Sequence, residues 1–391
     1  MRILIVHNRY LIRAGEDMSW ASEQNLLLER GHEVFNYTRD NREVERLASW
    51  KTGLRTVWSG EDYHSLRETI RQHRPDVMTI HNFFPLISPA AYYAARAEGV
   101  PVVQTLHNYR LLCLGAYFFR EGKVCEDCLG KSVPWPGVFH GCYRQNRIVS
   151  GVVASMLTAH QTLNTWRRMV DIYVALTDFS KAKFIEGGLP ADKIVVKPNF
   201  VHPDPGLGSG DGGYALYVGR LSAEKGLDTM MAAWKELGQS IPLKIVGEGP
   251  LADRVTQAAH NNSAIEYLGA RSRDEVIEML RHAACLVLPS RWYEGLPMTI
   301  IESFAVGTPV IASALGSMSS LVDHARTGLH FRAGDVVDLI RQVKWIISHP
   351  DELAQMRQAA RAEFETKYTA EKNHEALMQI YTLAQHRTRH R

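Results

Sequence analysis

Two carboxylates separated by seven residues, Glu294 and Glu302, are the first candidates for chemistry in this 391-residue sequence. They follow a short apolar stretch, residues 284–288, that is predicted to be a strand. Pro297 suits the first turn of a helix, so Glu294 lies in the loop before that helix and Glu302 just over one turn inside it. The free N–H groups and dipole of a helix start favour an anion. Each carboxylate can accept hydrogen bonds from ligand hydroxyls, although two surface acids would give the same pattern.

Two cations follow an earlier predicted strand, residues 214–218. Arg220 comes directly after Gly219, and Lys225 precedes Gly226. An Arg fork and a Lys ammonium together suit a diphosphate, whose charge they would neutralise as it leaves. Taken alone, the two residues are equally compatible with solvated surface cations.

A pair of glycines, Gly247 and Gly249, follows the predicted strand over residues 243–246 and precedes Pro250. Glycines at such a junction let a ligand approach the backbone N–H groups at the start of the next helix. An ordinary tight turn explains the pair equally well.

The elements that must position these residues alternate along the whole chain. Apolar stretches typical of strands are separated by stretches with helical periodicity, which predicts parallel βαβ units in an α/β fold with two doubly wound sheets. We also predict a long helix over residues 147–170. A segment rich in Pro, Gly, Asp and Ser, residues 198–213, separates two similar halves. A ligand cleft is expected between the halves, at the carboxyl ends of their strands.

The predicted domains are an N-terminal domain over 1–203, a linker over 204–213, a C-terminal domain over 214–368, and a terminal helix with a basic tail over 369–391. We expect the terminal segment to pack back toward the N-terminal domain.

Composition narrows the class of protein. The formal charge of +3, with 45 basic and 42 acidic residues, argues against a nucleic-acid partner. No apolar run approaches the roughly 18 residues that cross a bilayer. The N-terminal apolar stretch is too short for a signal peptide, so we expect a cytoplasmic protein, with contact to the inner face of the membrane as an open alternative.

Taken in order and spacing, these motifs resemble glycosyltransferase family 4, of the GT-B fold with two Rossmann-like domains, over nearly the whole chain. The resemblance implies a retaining hexosyltransferase (EC 2.4.1 class) that uses a nucleotide-diphosphate sugar without a catalytic metal. By the family pattern, Arg220 and Lys225 would hold the diphosphate and Glu302 the ribose. Glu294 would face the donor sugar, with backbone amides of the loop over residues 295–298 helping to fix it. The other donor-binding positions would be Gly247, Gly249, Gly295, Leu296, Pro297 and Met298.

The resemblance also assigns a residue of the N-terminal half. His107 ends a predicted strand at the position of the family's sugar-facing histidine, and would help to stabilise developing oxocarbenium charge. A buried structural histidine is the alternative. The family implies front-face attack, in which the acceptor hydroxyl enters on the leaving-group side.

The glycine loop near the N-terminus departs from the family pattern. The family usually has two adjacent glycines there, whereas this sequence has Ala14 before Gly15. Gly15 alone still allows its N–H to approach the phosphate, but Ala14 leaves less conformational freedom. A catalytically silent sugar-nucleotide-binding partner protein is therefore the alternative to an active enzyme.

A cysteine-rich insertion over about residues 108–146 is the second departure. Its spacing, with a CxxC step, predicts a closed structural Zn²⁺ site, with free thiols as the alternative: Cys113, Cys125, Cys128 and Cys142. Aromatic and basic residues in and after this segment would suit a lipid-linked saccharide acceptor at an anionic membrane face. The alternative is that the aromatic residues pack the loop, and a glycan acceptor remains equally open.

Overall fold

The computed structural model describes residues 1–11 and 15–390, and divides them into two compact units. Unit 1 comprises Met1–Phe118, Glu126–Pro198 and the chain from Asn373 onward, whereas unit 2 comprises Phe119–Cys125 and Asn199–Lys372. The chain thus passes from unit 1 to unit 2 after Pro198 and returns after Lys372.

Strands and helices alternate through both units, as the apolar pattern predicts. The strands are β1 (Arg2–Arg9), β2 (Glu33–Asp40), β3 (Val77–Asn82), β4 (Val102–Leu106), β5 (Phe119–Arg120), β6 (Lys123–Val124), β7 (Ile172–Ala175), β8 (Ile194–Val196), β9 (Ala215–Val218), β10 (Leu243–Val246), β11 (Ile265–Gly269), β12 (Cys285–Leu288), β13 (Val310–Ser313) and β14 (Gly328–Phe331).

Helices cover the stretches between the strands. They are α1 (Gly15–Glu29), α2 (Arg42–Arg46), α3 (Ser49–Val57), α4 (Gly60–His73), α5 (Ala90–Ala97), α6 (Trp135–Phe139), α7 (Arg147–Thr162), α8 (Thr165–Arg168), α9 (Asp178–Glu186), α10 (Leu227–Leu237), α11 (Ala252–Asn261), α12 (Arg273–His282), α13 (Met298–Ala305), α14 (Met318–Leu321), α15 (Val336–Ser348), α16 (Pro350–Lys367) and α17 (Ala370–Arg389).

Each unit is built on a six-stranded parallel sheet. The order is β2-β1-β3-β4-β7-β8 in unit 1 and β11-β10-β9-β12-β13-β14 in unit 2. The strand order reverses beside β1 in the first sheet and beside β9 in the second, so each sheet has a switch point where crossovers leave toward opposite sides. Ligands bind outside the carboxyl ends of the strands at such points.

Both sheets are buried on both faces, which explains the continuous apolar runs in the sequence. All residues of β3, β4 and β12 are buried. In unit 2 the core includes Trp234, whose indole N–H donates to the carbonyl oxygen of Ile241 at 2.8 Å. The cores therefore fix the strand ends from which the candidate residues project.

The predicted helix over residues 147–170 is wrong in its length. The structure ends α7 at Thr162 and starts α8 at Thr165, because Asn164 adopts a left-handed conformation with φ of +54°. Asparagine tolerates this conformation better than most residues. The prediction also omitted β14, the edge strand of the second sheet.

The predicted linker over 204–213 lies within unit 2 and is held along it. Asp204 pairs with Arg361 at 2.7 Å, and Gly208, Gly210 and Gly212 donate backbone hydrogen bonds of 2.9 Å to unit 2 carbonyl groups. Its Gly and Pro content thus reflects a close backbone approach and not a free hinge.

The terminal helix α17 completes the core of unit 1. Leu377, Ile380, Tyr381 and Ala384 are buried in the same cluster as Ile3 and other apolar side chains of the first sheet. These buried residues recur at intervals of three and four positions, as on the apolar face of an amphipathic helix.

We expect Leu377→Ala to lower the free energy of unfolding by about 2–5 kcal/mol, the usual range for a buried leucine. Leu377 is 1% exposed, whereas Leu383 on the same helix is 39% exposed, so Leu383→Ala is the matched control and should cost under about 1 kcal/mol. Urea unfolding of both variants measures the difference. Equal losses would contradict the packing of α17 on the first sheet.

Candidate active site

The switch point of the second sheet brings two of the predicted residues into direct contact. Lys225 follows β9 and Glu294 follows β12, and Lys225 Nζ donates to Glu294 Oε1 at 2.7 Å. Glu294 is only 5% exposed. Ser290 Oγ also donates to Glu294 Oε1, at 2.6 Å, and Ser317 Oγ donates to the Glu294 carbonyl oxygen at 2.8 Å. Segments after β9 and β12 therefore hold the carboxylate, and the segment after β13 holds the backbone of the same residue.

Glycines allow the loops around this ion pair to touch. Gly226 has a φ of +71°, and a Cβ there would lie 1.9 Å from the carbonyl oxygen of Pro289. A Cβ on Gly247, at φ +139°, would lie 1.9 Å from the carbonyl oxygen of Gly219. Only glycine meets both conditions. Gly249 lies in the same turn, where the Leu221 N–H donates to the Glu248 carbonyl oxygen at 2.8 Å.

Arg220 lies in the same loop as Lys225, but the structure does not bring it to Glu294. Its side chain is exposed, and its carbonyl oxygen accepts a hydrogen bond from the Tyr217 hydroxyl at 3.0 Å. The guanidinium therefore stands at the solvent side of the switch point.

Glu302 lies on α13 and is 5% exposed. Arg273, which sequence reasoning missed, donates from Nε to Glu302 Oε1 at 3.2 Å. Burial raises the pKa of Glu302, and the charge of Arg273 opposes this rise. Pro297 is the residue immediately before α13 and not its first residue, and Leu296 beside it is buried. Gly295 and Met298 are half-buried.

In unit 1, the half-buried His107 lies at one end of a chain of polar side chains, at the carboxyl ends of β3 and β4. His81 Nδ1 lies 2.9 Å from His107 Nε2, and His81 Nε2 lies 3.2 Å from Glu23 Oε1. Lys197 Nζ donates to Glu23 Oε2 at 3.1 Å. Sequence reasoning found only His107. His81, Glu23 and Lys197 come from separate elements. Each is a polar residue at a buried strand end or on a buried helix face, and this is the signal that could have identified them.

These contacts control protonation. Burial is the main cause that lowers the pKa of His107 well below its ordinary value, so its imidazole is neutral. Burial would raise the pKa of Glu23, but the electrostatic and hydrogen-bond contacts of Lys197 and His81 outweigh it and hold that pKa low. A second buried pair lies beside these polar side chains: His7 Nε2 is 2.8 Å from Asp17 Oδ1.

Gly15 is the exposed first residue of α1, and Ala14 lies outside the described residues. The next residue, Glu16, lines a cavity together with His107, Asn108 and other residues. Asn108 Nδ2 donates to Glu16 Oε1. Burial raises the pKa of Glu16 to about 7, and hydrogen bonds with Tyr10 and Asn108 oppose that rise. Glu16 is not among the site residues predicted from the sequence.

The four cysteines predicted to bind zinc are not gathered into a metal site. Within residues 1–11 and 15–390, no three His, Cys, Asp or Glu side chains are grouped as a metal ion requires. Cys113 and Cys142 flank Gly115, whereas Cys128 Sγ lies 3.8 Å from the carbonyl oxygen of Pro134. Cys125 belongs to unit 2 and the other three to unit 1. The local CxxC spacing therefore does not predict the tertiary arrangement here.

No helix in the part of the chain that the structure describes is both long and apolar enough to span a bilayer.

Family models match both halves of the chain. The model described as Glycosyltransferase Family 4 matches residues 24–205, and the model described as Glycosyl transferases group 1 matches residues 205–363. The chain belongs to glycosyltransferase family 4. As a glycosyltransferase with a GT-B-like fold, it carries Lys225, Glu294 and Glu302 within the second matched region.

Two relatives of this glycosyltransferase show the extent of the sequence similarity. An uncharacterized glycosyltransferase of Methanocaldococcus jannaschii is 29% identical over 205 residues, which span 51% of this chain and 57% of that protein. Glycogen synthase of Mycobacterium tuberculosis is 25% identical over 343 residues, which span 85% of this chain and 73% of that enzyme.

Solved structures share the fold. Anabaena HepE in complex with UDP superposes with a TM-score of 0.69 at 16% identity and covers 98% of this chain and 100% of its own. Sucrose-phosphate synthase from Thermosynechococcus elongatus gives a TM-score of 0.68 at 15% identity, and covers 97% and 98%.

Glu16 predicts a pH dependence of stability. Its folded pKa of about 7 lies above the ordinary value of 4.5, so it contributes stability that is fully present below pH 4.5 and lost as the pH rises through 7. Relative to Glu16→Gln, the wild type should lose about 1–3 kcal/mol of unfolding free energy between pH 4.5 and pH 8. Urea unfolding across this range measures the loss. Glu29→Gln, at the exposed far end of α1, is the control. A difference between wild type and Glu16→Gln that does not change with pH would contradict the assignment.

Proposed function

We propose that this glycosyltransferase moves a hexose from a nucleotide-diphosphate sugar to a hydroxyl of a glycan or lipid-linked saccharide in cell-surface polysaccharide biosynthesis. The observation that carries the proposal is the contact between Lys225 and Glu294 at the switch point of the second sheet. HepE has been crystallised with UDP and with UDP-glucose, which supports a nucleotide sugar as the donor here.

Each candidate site residue of unit 2 has a proposed role. Lys225 and the exposed Arg220 would neutralise the diphosphate as it leaves, so catalysis would need no metal ion. The buried carboxyl of Glu302 would take the ribose hydroxyls, and Glu294 the hydroxyls of the sugar. The backbone amides of Gly295, Leu296 and Met298, together with those of Gly15, Gly247 and Gly249, would hold the donor.

We further propose that the transfer retains the anomeric configuration. The acceptor oxygen would bond to the anomeric carbon on the face from which the diphosphate departs, and the acceptor proton would pass to the departing phosphate oxygen. Positive charge develops on the sugar ring during this step. His107 would contact the sugar as a neutral imidazole, which does not oppose that charge.

The first experiment is donor binding followed by turnover. Thermal unfolding of the purified protein with UDP-glucose, GDP-mannose and UDP-linked amino sugars should show a rise in melting temperature for one donor, because a bound ligand stabilises the folded state. Release of the nucleoside diphosphate in the presence of glycan acceptors then measures transfer. Stabilisation without turnover with any acceptor would favour the catalytically silent binding protein.

Glu294→Ala should lower kcat/KM for the identified donor by about a hundredfold or more, since it removes both a ligand to the sugar and the partner of Lys225. The matched control is Glu278→Ala. Glu278 pairs with Arg281 and His282 near the end of α12, which leads to the opposite edge of the sheet. Transfer that survives Glu294→Ala, in a variant that stays folded, would contradict the donor-site assignment.

We propose that the acceptor is a lipid-linked saccharide in an anionic membrane, and that unit 1 binds the surface of that membrane. A groove of about 850 Å³ lies between α3 and α7, with largely apolar lining. Trp50, Leu54 and Ile148 at this groove are 65%, 63% and 82% exposed. Lys51 lies over the ring of Trp50 at 5.5 Å, and Arg144 also lines the groove. Protruding apolar side chains beside basic residues fit lipid tails under anionic headgroups.

Co-sedimentation with vesicles tests this surface. The protein should bind phosphatidylglycerol vesicles more tightly than phosphatidylcholine vesicles, and the double variant Trp50→Glu with Ile148→Glu should lose most of that binding. Leu163→Glu is the control, because Leu163 is 59% exposed but follows the far end of α7, about 22 Å from Ile148. Equal binding to both vesicles, or a double variant that binds like Leu163→Glu, would contradict the proposal.

A further inference from the structure

A chain of buried polar side chains ends on His107 and has no role in the reaction described so far. His81 contacts both His107 and Glu23, at 2.9 and 3.2 Å. Lys197 contacts Glu23 at 3.1 Å and the side-chain oxygen of Asn373 at 3.2 Å. His81, Glu23 and Lys197 are all nearly inaccessible to solvent, at 3%, 3% and 2% exposed. Four separate parts of unit 1 are therefore linked in series, and the series ends at the His107 imidazole.

The protons in this chain can be assigned in sequence. Because its pKa is held low, Glu23 is a carboxylate and can only accept hydrogen bonds. His81 must therefore donate from Nε2 to Glu23 Oε1. Lys197 already balances the charge of Glu23, so charge balance requires only one proton on the His81 ring, the one at Nε2. Its Nδ1 is then an acceptor, and His107 must donate to it from Nε2.

We propose that His81, held by Glu23 and Lys197, is a positioning residue that fixes His107 in the Nε2–H tautomer and leaves its Nδ1 as the acceptor for a donor-sugar hydroxyl. This inference rests on the proposed contact between His107 and the donor. It adds the ring nitrogen that makes the contact and the residues that select it.

Energetic cost favours a functional role for this chain. Burying a Lys–Glu ion pair removes both ions from water, and this desolvation penalty offsets much of the attraction between the charges. Apolar residues of similar volume often stabilise a core as well or better. The contacts from Glu23 through His81 end at a single imidazole and fix the orientation of its ring. A residue that must present one nitrogen to a ligand requires that fixation.

The test combines kinetics with ring ¹⁵N NMR of the full chain. In the wild type, the ¹⁵N shifts of His107 should report a proton on Nε2. His81→Leu should mix the two tautomers and lower kcat about tenfold or more, with a smaller change in donor KM. His81→Asn should restore most of the activity, because its amide oxygen can replace Nδ1 as the acceptor.

His160→Leu is the matched control for loss of a buried histidine. His160 is 2% exposed in the same unit and bonds to Thr165 and to the carbonyl oxygen of Val57. It should lower stability while kcat and the His107 tautomer stay unchanged.

Two results would overturn the inference: a proton on Nδ1 of His107 in the wild type, or a His81→Leu variant with unchanged kcat. If His107→Ala itself leaves transfer intact, the proposed role of His107 fails. The NMR measurement is independent of activity and would still decide the tautomer.

Discussion

The ion pair between Lys225 and Glu294 is the interaction on which the second unit's loops depend. A carboxylate that is 5% exposed costs several kcal/mol without a cation, so the loops after β9 and β12 must remain in contact. That contact is possible only because Gly226 approaches the backbone of Pro289 without a side chain. The glycine and the charged pair are therefore parts of one arrangement, and the glycine turn at Gly247 extends it to the next loop.

Much of the fold could be predicted because parallel sheets leave a strong local signal. Strands buried on both faces have short apolar sequences, and β9, β10 and β12 are predicted for that reason. Features set by a single backbone conformation or by tertiary contact were not recognisable. Asn164 interrupts an otherwise apolar helical segment through its left-handed φ, and the segment after Pro198 looks like a hinge until its hydrogen bonds to unit 2 are seen.

The residues of the candidate site also divide into those that the sequence could predict and those that it could not. Residues that directly follow strands, such as Lys225 and Glu294, could be found because the carboxyl ends of parallel strands lie at one edge. Glu23 and Lys197 could not, since 174 positions separate them in sequence and only the fold brings them together. The cysteines show the converse. Their spacing is locally compatible with zinc, but the chain between them does not bring the four thiols to one point.

The two units solve opposite electrostatic problems under the proposed reaction. A departing diphosphate needs positive charge, and the loop after β9 carries one exposed cation, Arg220, and a second, half-buried cation, Lys225, which is paired with Glu294. A sugar ring that gains positive charge needs a neighbour without it. In unit 1 the charges of Glu23 and Lys197 cancel, and burial keeps the imidazole of His107 neutral. Burial thus has different uses in the two units, because it strengthens a charged contact in one and removes a charge in the other.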